Sequence, residues 1–181
     1  RILLVNDDGI TAPGLWHAAK ALKEVGEVVV CAPDREQSGA GSSLSLKNPI
    51  RVASVSASVE GVQAFAVEGT PADCAVLALE VLVEKPVDLV VAGINEGANL
   101  GDDLFLSGTV GAALQGYFRS IPSIAICSEV FFAAGKVQAK ALGYNDFEPV
   151  TVEHPIQSLT SDQIRGRADG IAEKIAVVLT K

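Results

Sequence analysis

The sequence predicts an α/β domain: a mostly parallel, Rossmann-like sheet flanked by helices, with a C-terminal helical extension. Three observations carry this. Short apolar runs without alternation, at Arg1 to Val5, Glu27 to Ala32 and Val87 to Ala92, read as parallel strands buried on both faces. Segments with apolar residues at helical spacing lie between them. The first 33 residues form a β-loop-α-β unit, which almost always crosses over with the right hand.

The elements follow in order. From Pro13 to Val25 the apolar positions are Leu15, Ala18, Ala19, Leu22 and Val25, and Pro13 suits the first turn of a helix. Asp34 to Asn48 is rich in Ser and Gly and reads as a loop. Arg51 to Ser58 and Val62 to Glu68 read as a hairpin turning at Glu60-Gly61. Thr70 is the expected N-cap of the next helix, with Pro71 at its first position and Cys74, Leu77, Ala78, Val81 and Leu82 on its apolar face. Ser107 can cap a helix to about Tyr117, and Pro122 to Cys127 is a further strand. Glu129 to Phe147 has no clean period and is assigned no element. Ser161 to Lys181 is an amphipathic helix, with Ile164, Ala168, Ile171, Ala172, Ile175, Val178 and Leu179 on one face.

A chain of 181 residues, 49% hydrophobic and 20% charged, can fill a core, which argues against disorder. With 22 acidic against 14 basic residues the net charge is -8, which disfavours passive binding of long nucleic acid. An anionic substrate can still bind where a metal or backbone N–H groups supply the positive end. Cys31, Cys74 and Cys127 lack zinc-site spacing and are expected as buried free thiols, which fits a reducing cytoplasm. No apolar run approaches the roughly 20 residues of a spanning helix, so no membrane partner is expected. No Met occurs, even at position 1, which points to processing or to residues beyond these 181.

Ligands of open α/β sheets bind beyond the carboxyl ends of the strands. Three polar loops follow strand ends here: Asn6 to Gly9, Asp34 to Gly39, and Gly93 to Asp103. Asp7 and Asp8 are adjacent carboxylates at a buried strand end, where repulsion and burial both cost free energy. A divalent cation relieves both costs. Oxygen donors favour Mg²⁺, Mn²⁺ or Ca²⁺ over zinc, and Ser38 and Asn95 are suitable neutral completions. The plainer alternative is that Asp7 and Asp8 only cap a turn or a helix. Ser107-Gly108-Thr109 at a helix start is expected to present N–H groups that no helix carbonyl takes, a ready anion site, and Gly39 lets backbone approach a ligand. No Walker sequence, GxGxxG fingerprint or nucleophile elbow is present. His17 reads as structural, and His154 is open between structure and substrate. Trp16 and Tyr117 read as packing residues.

Taken together, Asn6-Asp7-Asp8-Gly9, Ala32-Pro33-Asp34 through Ser38-Gly39, Gly69-Thr70-Pro71-Ala72-Asp73-Cys74, Gly93-Ile94-Asn95 through Gly101, and Ser107 through Ala113 resemble the stationary-phase survival protein family, the SurE-type nucleotidases. The tail, with Ala141-Leu142-Gly143-Tyr144, His154-Pro155 and Leu159-Thr160, is similar again. The resemblance implies a metal-dependent phosphatase acting on nucleoside monophosphates, at the 5′ position with the 3′ position as an additional expectation. It implies Asp7, Asp8, Ser38 and Asn95 as ligands of one divalent cation, with Mg²⁺ or Mn²⁺ expected, and Asp7, Asp8 and Asn95 at the chemistry. Asn6, Gly39, Asn99, Ser107, Gly108 and Thr109 are expected around the substrate phosphate. A cytoplasmic homodimer or homotetramer is implied, with residues 1–128 as the nucleotidase core. Residues 129–181 are then a shortened linker region with a C-terminal strand and helix used in packing or assembly. Family members are longer, and the extra length falls between Ser128 and Ala139. Their Met-Arg-Ile start suggests that Arg1 is not the first residue. The alternative function is a nucleotide-binding regulatory module that has lost turnover.

Overall fold

Strand β1 (Ile2–Val5) is buried along its whole length. It pairs in parallel with β2 (Val28–Pro33) on one side and β5 (Leu89–Ala92) on the other. Strands β3 (Val52–Ser54), β4 (Gln63–Val67) and β6 (Ser123–Ala125) complete a six-stranded sheet of order β3-β4-β2-β1-β5-β6. Among the described residues, only the β3–β4 pair is antiparallel. The structure, a computed structural model, describes residues 1–95, 106–128, 151–153 and 159–179. Helices α1 (Pro13–Leu22), α2 (Pro71–Leu77) and α3 (Gly108–Tyr117) connect the parallel strands. The chain steps outward through β1, β2 and β4, then returns to the other side of β1 as β5. In open α/β sheets such a reversal marks the ligand-binding crevice, here expected at the carboxyl ends of β1 and β5.

Alternate residues of each strand feed two cores. Ile2, Leu4, Val28, Val30 and Val91 pack with Leu15, Ala18 and Leu22 of α1 and with Ala168, Ile171, Ala172 and Ile175 of α4 (Ser161–Leu179). Leu3, Val5, Val29, Cys31, Val90 and Ala92 pack with Cys74 and Ala75 of α2 and Ala112 and Ala113 of α3. Cys31 and Cys74 are buried free thiols, as their apolar settings predict.

The Ser/Gly loop after β2 is fastened at its far end. Asp73 and Thr70 form a capping box: Asp73 N–H donates to Thr70 Oγ1 at 3.1 Å, and Thr70 N–H donates to Asp73 Oδ2 at 2.9 Å. The same buried carboxylate accepts from Ser45 N–H at 2.9 Å and Ser45 Oγ at 2.7 Å. Thr70 Oγ1 in turn donates to Ser43 O at 2.7 Å.

Four details differ from the sequence reading. The hairpin ladder is shorter than expected, with Val52 to Ser54 paired to Val67 to Phe65, because β3 is an exposed edge strand with little to bury. Helix α2 ends in a π-helical turn, Ala78–Leu82, closed by Val83 N–H to Ala78 O at 3.1 Å. The extra residue in that turn rotates the apolar face, so Val81 is exposed. The strand expected to run to Cys127 breaks at buried Ile126, and β7 (Cys127–Ser128) pairs instead with β8 (Thr151–Val152) in a separate sheet. Tyr117 is exposed and meets exposed Phe118 edge to face at 6.1 Å, so it is not a core packing residue. Gly116 takes the sheet-facing position beside it, where a Cβ would stand 2.6 Å from Val90 Cγ2.

Asp73→Ala is expected to destabilise the chain by roughly 2 kcal/mol or more, because it removes a helix cap and leaves several donors unpaired. Urea unfolding followed by circular dichroism measures this; a change below about 0.5 kcal/mol, the size typical of an ordinary surface substitution, would show that the fastening is idle.

Candidate metal and phosphate site

Beyond Val5 the polypeptide stays buried through two polar residues. Asn6 is fully enclosed, and its Nδ2 donates to Gly9 O at 3.0 Å. Its Oδ1 is also buried and accepts no hydrogen bond from the described residues. Asp7 is 3% exposed. Its carbonyl accepts from Gln37 N–H at 2.7 Å, which draws the β2 loop onto the β1 loop. Its carboxylate Oδ1 accepts from Thr109 Oγ1 at 2.5 Å, and the Thr109 backbone N–H adds a second donor. Burial is the largest influence on this carboxyl and pushes its pKa up; the hydrogen bonds pull it down, and nearby Glu36 pushes it further up. Asp8, next in sequence, is half-buried.

Two glycines bring α3 to this point. Ser107 Oγ accepts from Val110 N–H at 3.3 Å and starts the helix. A Cβ on Gly108 would lie 2.9 Å from Asp7 Cβ and 2.8 Å from Pro71 Cγ, so no larger residue lets the first turn sit here. A side chain on Gly111 would run into Gly41 O, and Gly41 N–H donates to Leu106 O at 2.9 Å. The loop after β2 and the start of α3 are therefore locked together, and Ser107, Gly108 and Thr109 are all buried.

Asn95 is 4% exposed and lies three residues past Ala92, the register partner of Val5. Its N–H donates to Ile126 O at 3.3 Å. Ser38 and Gly39 are exposed at the rim, and Ser38 Oγ donates to Glu36 Oε1 at 2.6 Å. Glu36 was not among the expected site residues. Its position two residues before Ser38 in the same loop is the signal that could have marked it. Thr109, expected at the phosphate, has both its hydroxyl and its N–H directed to Asp7. Asn99 and His154 lie outside the described residues. His17 is half-buried on α1, where burial, Arg165 and Lys20 hold its pKa below the usual histidine value.

The donor set suits a hard divalent cation. Carboxylates (Asp7, Asp8), amide oxygens (Asn6, Asn95) and a hydroxyl (Ser38) come from the ends of β1, β2 and β5. Two of these, the Asn6 Oδ1 and the Asp7 carboxylate, are buried with less compensation than such groups ordinarily receive. Among the described residues no three His, Cys, Asp or Glu side chains form a metal-holding group, so the fit depends on the neutral oxygens as much as on the two Asp.

The chain is similar to known proteins of one family. The model of the family described as "Survival protein SurE" matches residues 2–166. A 5'-nucleotidase SurE from Dehalococcoides mccartyi strain CBDB1 is 62% identical over 126 residues, 70% of this chain and 48% of that protein. One from Methanopyrus kandleri is 50% identical over 141 residues, 78% of this chain and 53% of that protein. The crystal structure of the SurE protein from Aquifex aeolicus matches with a TM-score of 0.64 at 38% identity, covering 89% of this chain and 67% of that one. The chain spans about half the length of the curated relatives it matches.

The raised pKa of Asp7 has a stability consequence. A carboxyl whose folded pKa lies above its unfolded value stabilises the fold most below the unfolded value, and that contribution is lost as pH rises through the folded one. At neutral pH the metal-free chain therefore carries an unfavourable buried charge. Asp7→Asn, which keeps an acceptor for Thr109, is expected to raise the melting temperature of the chain in EDTA at pH 7 and to lose that advantage near pH 4. Thermal unfolding at both pH values checks this, and a lower melting temperature at pH 7 would contradict it.

Proposed function

The chain belongs to the SurE family, and from that premise we propose that it hydrolyses the phosphomonoester of a nucleoside monophosphate with one divalent cation, Mg²⁺ or Mn²⁺. The observation that carries this reading is the buried Asp7 carboxylate at the crevice between β1 and β5, held by α3 and lacking a cationic side-chain partner among the described residues. In this reading Asp7, Asp8, Ser38 and Asn95 hold the cation, and Ser38 turns its hydroxyl from Glu36 toward it. A cation bound there would polarise a phosphoryl oxygen and make an attacking water more acidic.

The chain's own groups supply the rest. Backbone N–H groups at Gly39 and at Ser107-Gly108, near the positive end of α3, bind the remaining phosphoryl oxygens and stabilise charge in the transition state. Asn99 orients the phosphate through its amide, and the enclosed Asn6 holds the turn that carries Asp7 by donating to Gly9 O, instead of meeting the phosphate directly. Burial of Asp7 keeps most bulk water from its carboxylate, which strengthens each charge interaction there. The 5′-nucleotide is the expected substrate, since both named relatives are 5'-nucleotidases, with the 3′ ester as a second possible substrate. A homodimer or homotetramer, with residues 129–181 contributing to assembly, belongs to the same proposal. So does a cytoplasmic location, which the buried free thiols of Cys31 and Cys74 favour. No helix among the described residues is long and apolar enough to cross a membrane.

Phosphate release from AMP, GMP and p-nitrophenyl phosphate, with Mn²⁺ or EDTA, tests the proposal. Turnover that EDTA abolishes is expected, and Asp8→Asn should lower it more than about 100-fold, beyond the effect usual for outer-shell residues. Nucleotide binding without EDTA-sensitive turnover would favour the regulatory module instead.

A further inference from the structure

We infer that Thr109 is a positioning residue for the Asp7 carboxylate and not a direct donor to the substrate phosphate. This rests on the functional reading above and assigns a different task to one residue within it. Thr109 is wholly buried at the first turn of α3. A threonine has one hydroxyl proton and one backbone N–H to give. Both go to Asp7: the hydroxyl reaches Oδ1 at 2.5 Å, and the N–H meets the same carboxylate. Neither is left for a phosphoryl oxygen while that pairing stands.

The pairing fixes what a strand-end carboxylate otherwise lacks, its rotation about the terminal bond. Oδ1 is pinned by Thr109, while Oδ2 lies against Gly108, where a Cβ would stand 3.2 Å from it. The β-branch of Thr109 restricts its own χ1, so the hydroxyl is held on a stiff arm. Serine would keep the proton but lose part of that stiffness. Valine would keep the shape and lose the proton. The substitutions separate the hydrogen bond from the packing around it.

The test uses the 181-residue chain stripped of metal. Mn²⁺ binding is measured by titration calorimetry without phosphate, and inorganic phosphate inhibition is measured separately at saturating Mn²⁺. Thr109→Val should weaken Mn²⁺ binding by about tenfold, the scale seen when an outer-shell partner is lost, and leave phosphate inhibition within about twofold. Thr109→Ser should recover Mn²⁺ affinity to within about threefold of the parent, since the charge-assisted bond remains. Thr109→Ala serves as a second hydroxyl-free variant should the valine form fail to fold, and melting curves in EDTA check each protein. Unchanged Mn²⁺ affinity in the hydroxyl-free variant, no recovery with serine, or weaker phosphate inhibition at saturating Mn²⁺ would each overturn the assignment. A parent chain that binds no Mn²⁺ defeats the functional reading first, and is distinguished because it fails before any variant is compared.

Discussion

The constraint on which the rest depends is the burial of one carboxylate at the end of the central strand. Asp7 is enclosed where β1 leaves the sheet, and the charged form is disfavoured there by desolvation. The neighbouring structure is built to tolerate it. The start of α3 reaches the carboxylate because Gly108 has no side chain, and Thr109 answers it with two donors. The β2 loop is drawn in by Gln37 N–H on the Asp7 carbonyl. These bonds lower the cost of the charge without cancelling it. A site that stays short of positive charge when metal-free is one a cation can stabilise on binding.

The sheet order explains why this happens at β1. Because the chain runs out through β2 and β4 and then returns to β5, the connections leaving β1 and β5 run to opposite sides of the sheet's centre, the arrangement in which open α/β sheets bind ligands. Two apolar layers hold the strands in register, with α1 and α4 on one face and α2 and α3 on the other. The Thr70–Asp73 capping box secures more than its own helix, since Asp73 also ties down Ser45. Loop and scaffold are thus joined at both ends, at Gln37 near the carboxylate and at Ser45 near α2.

Much of this was legible in the sequence because it is local. Unbroken apolar runs identified β1, β2 and β5, and the polar residues after them marked the ligand-binding edge. Thr70-Pro71 with Asp73 three residues after the cap announced the start of α2. What could not be read depends on contacts between distant residues. The Thr109–Asp7 bond joins positions 102 apart, and nothing in Ser107-Gly108-Thr109 says that the hydroxyl turns inward. Glu36 approaches Asp7 only because the β2 loop folds back. Helical periodicity gives no sign of the π-helical turn at Ala78–Leu82, since a single wider turn at the helix end shifts the apolar pattern over too few positions to be read. The aromatic ring of Tyr117 suggests packing, but Gly116 is the residue that fits the position against the sheet, and Tyr117 faces out.

The central claim is that a divalent cation compensates the buried Asp7 carboxylate. A ligand that binds only the folded state stabilises it in proportion to the logarithm of its concentration. The most direct measurement is the melting temperature of the chain against Mn²⁺ concentration, for the parent and for Asp7→Asn. The parent should rise steadily with Mn²⁺ and the variant should stay flat. A parent that does not respond to Mn²⁺, or a variant that responds equally, would contradict the claim.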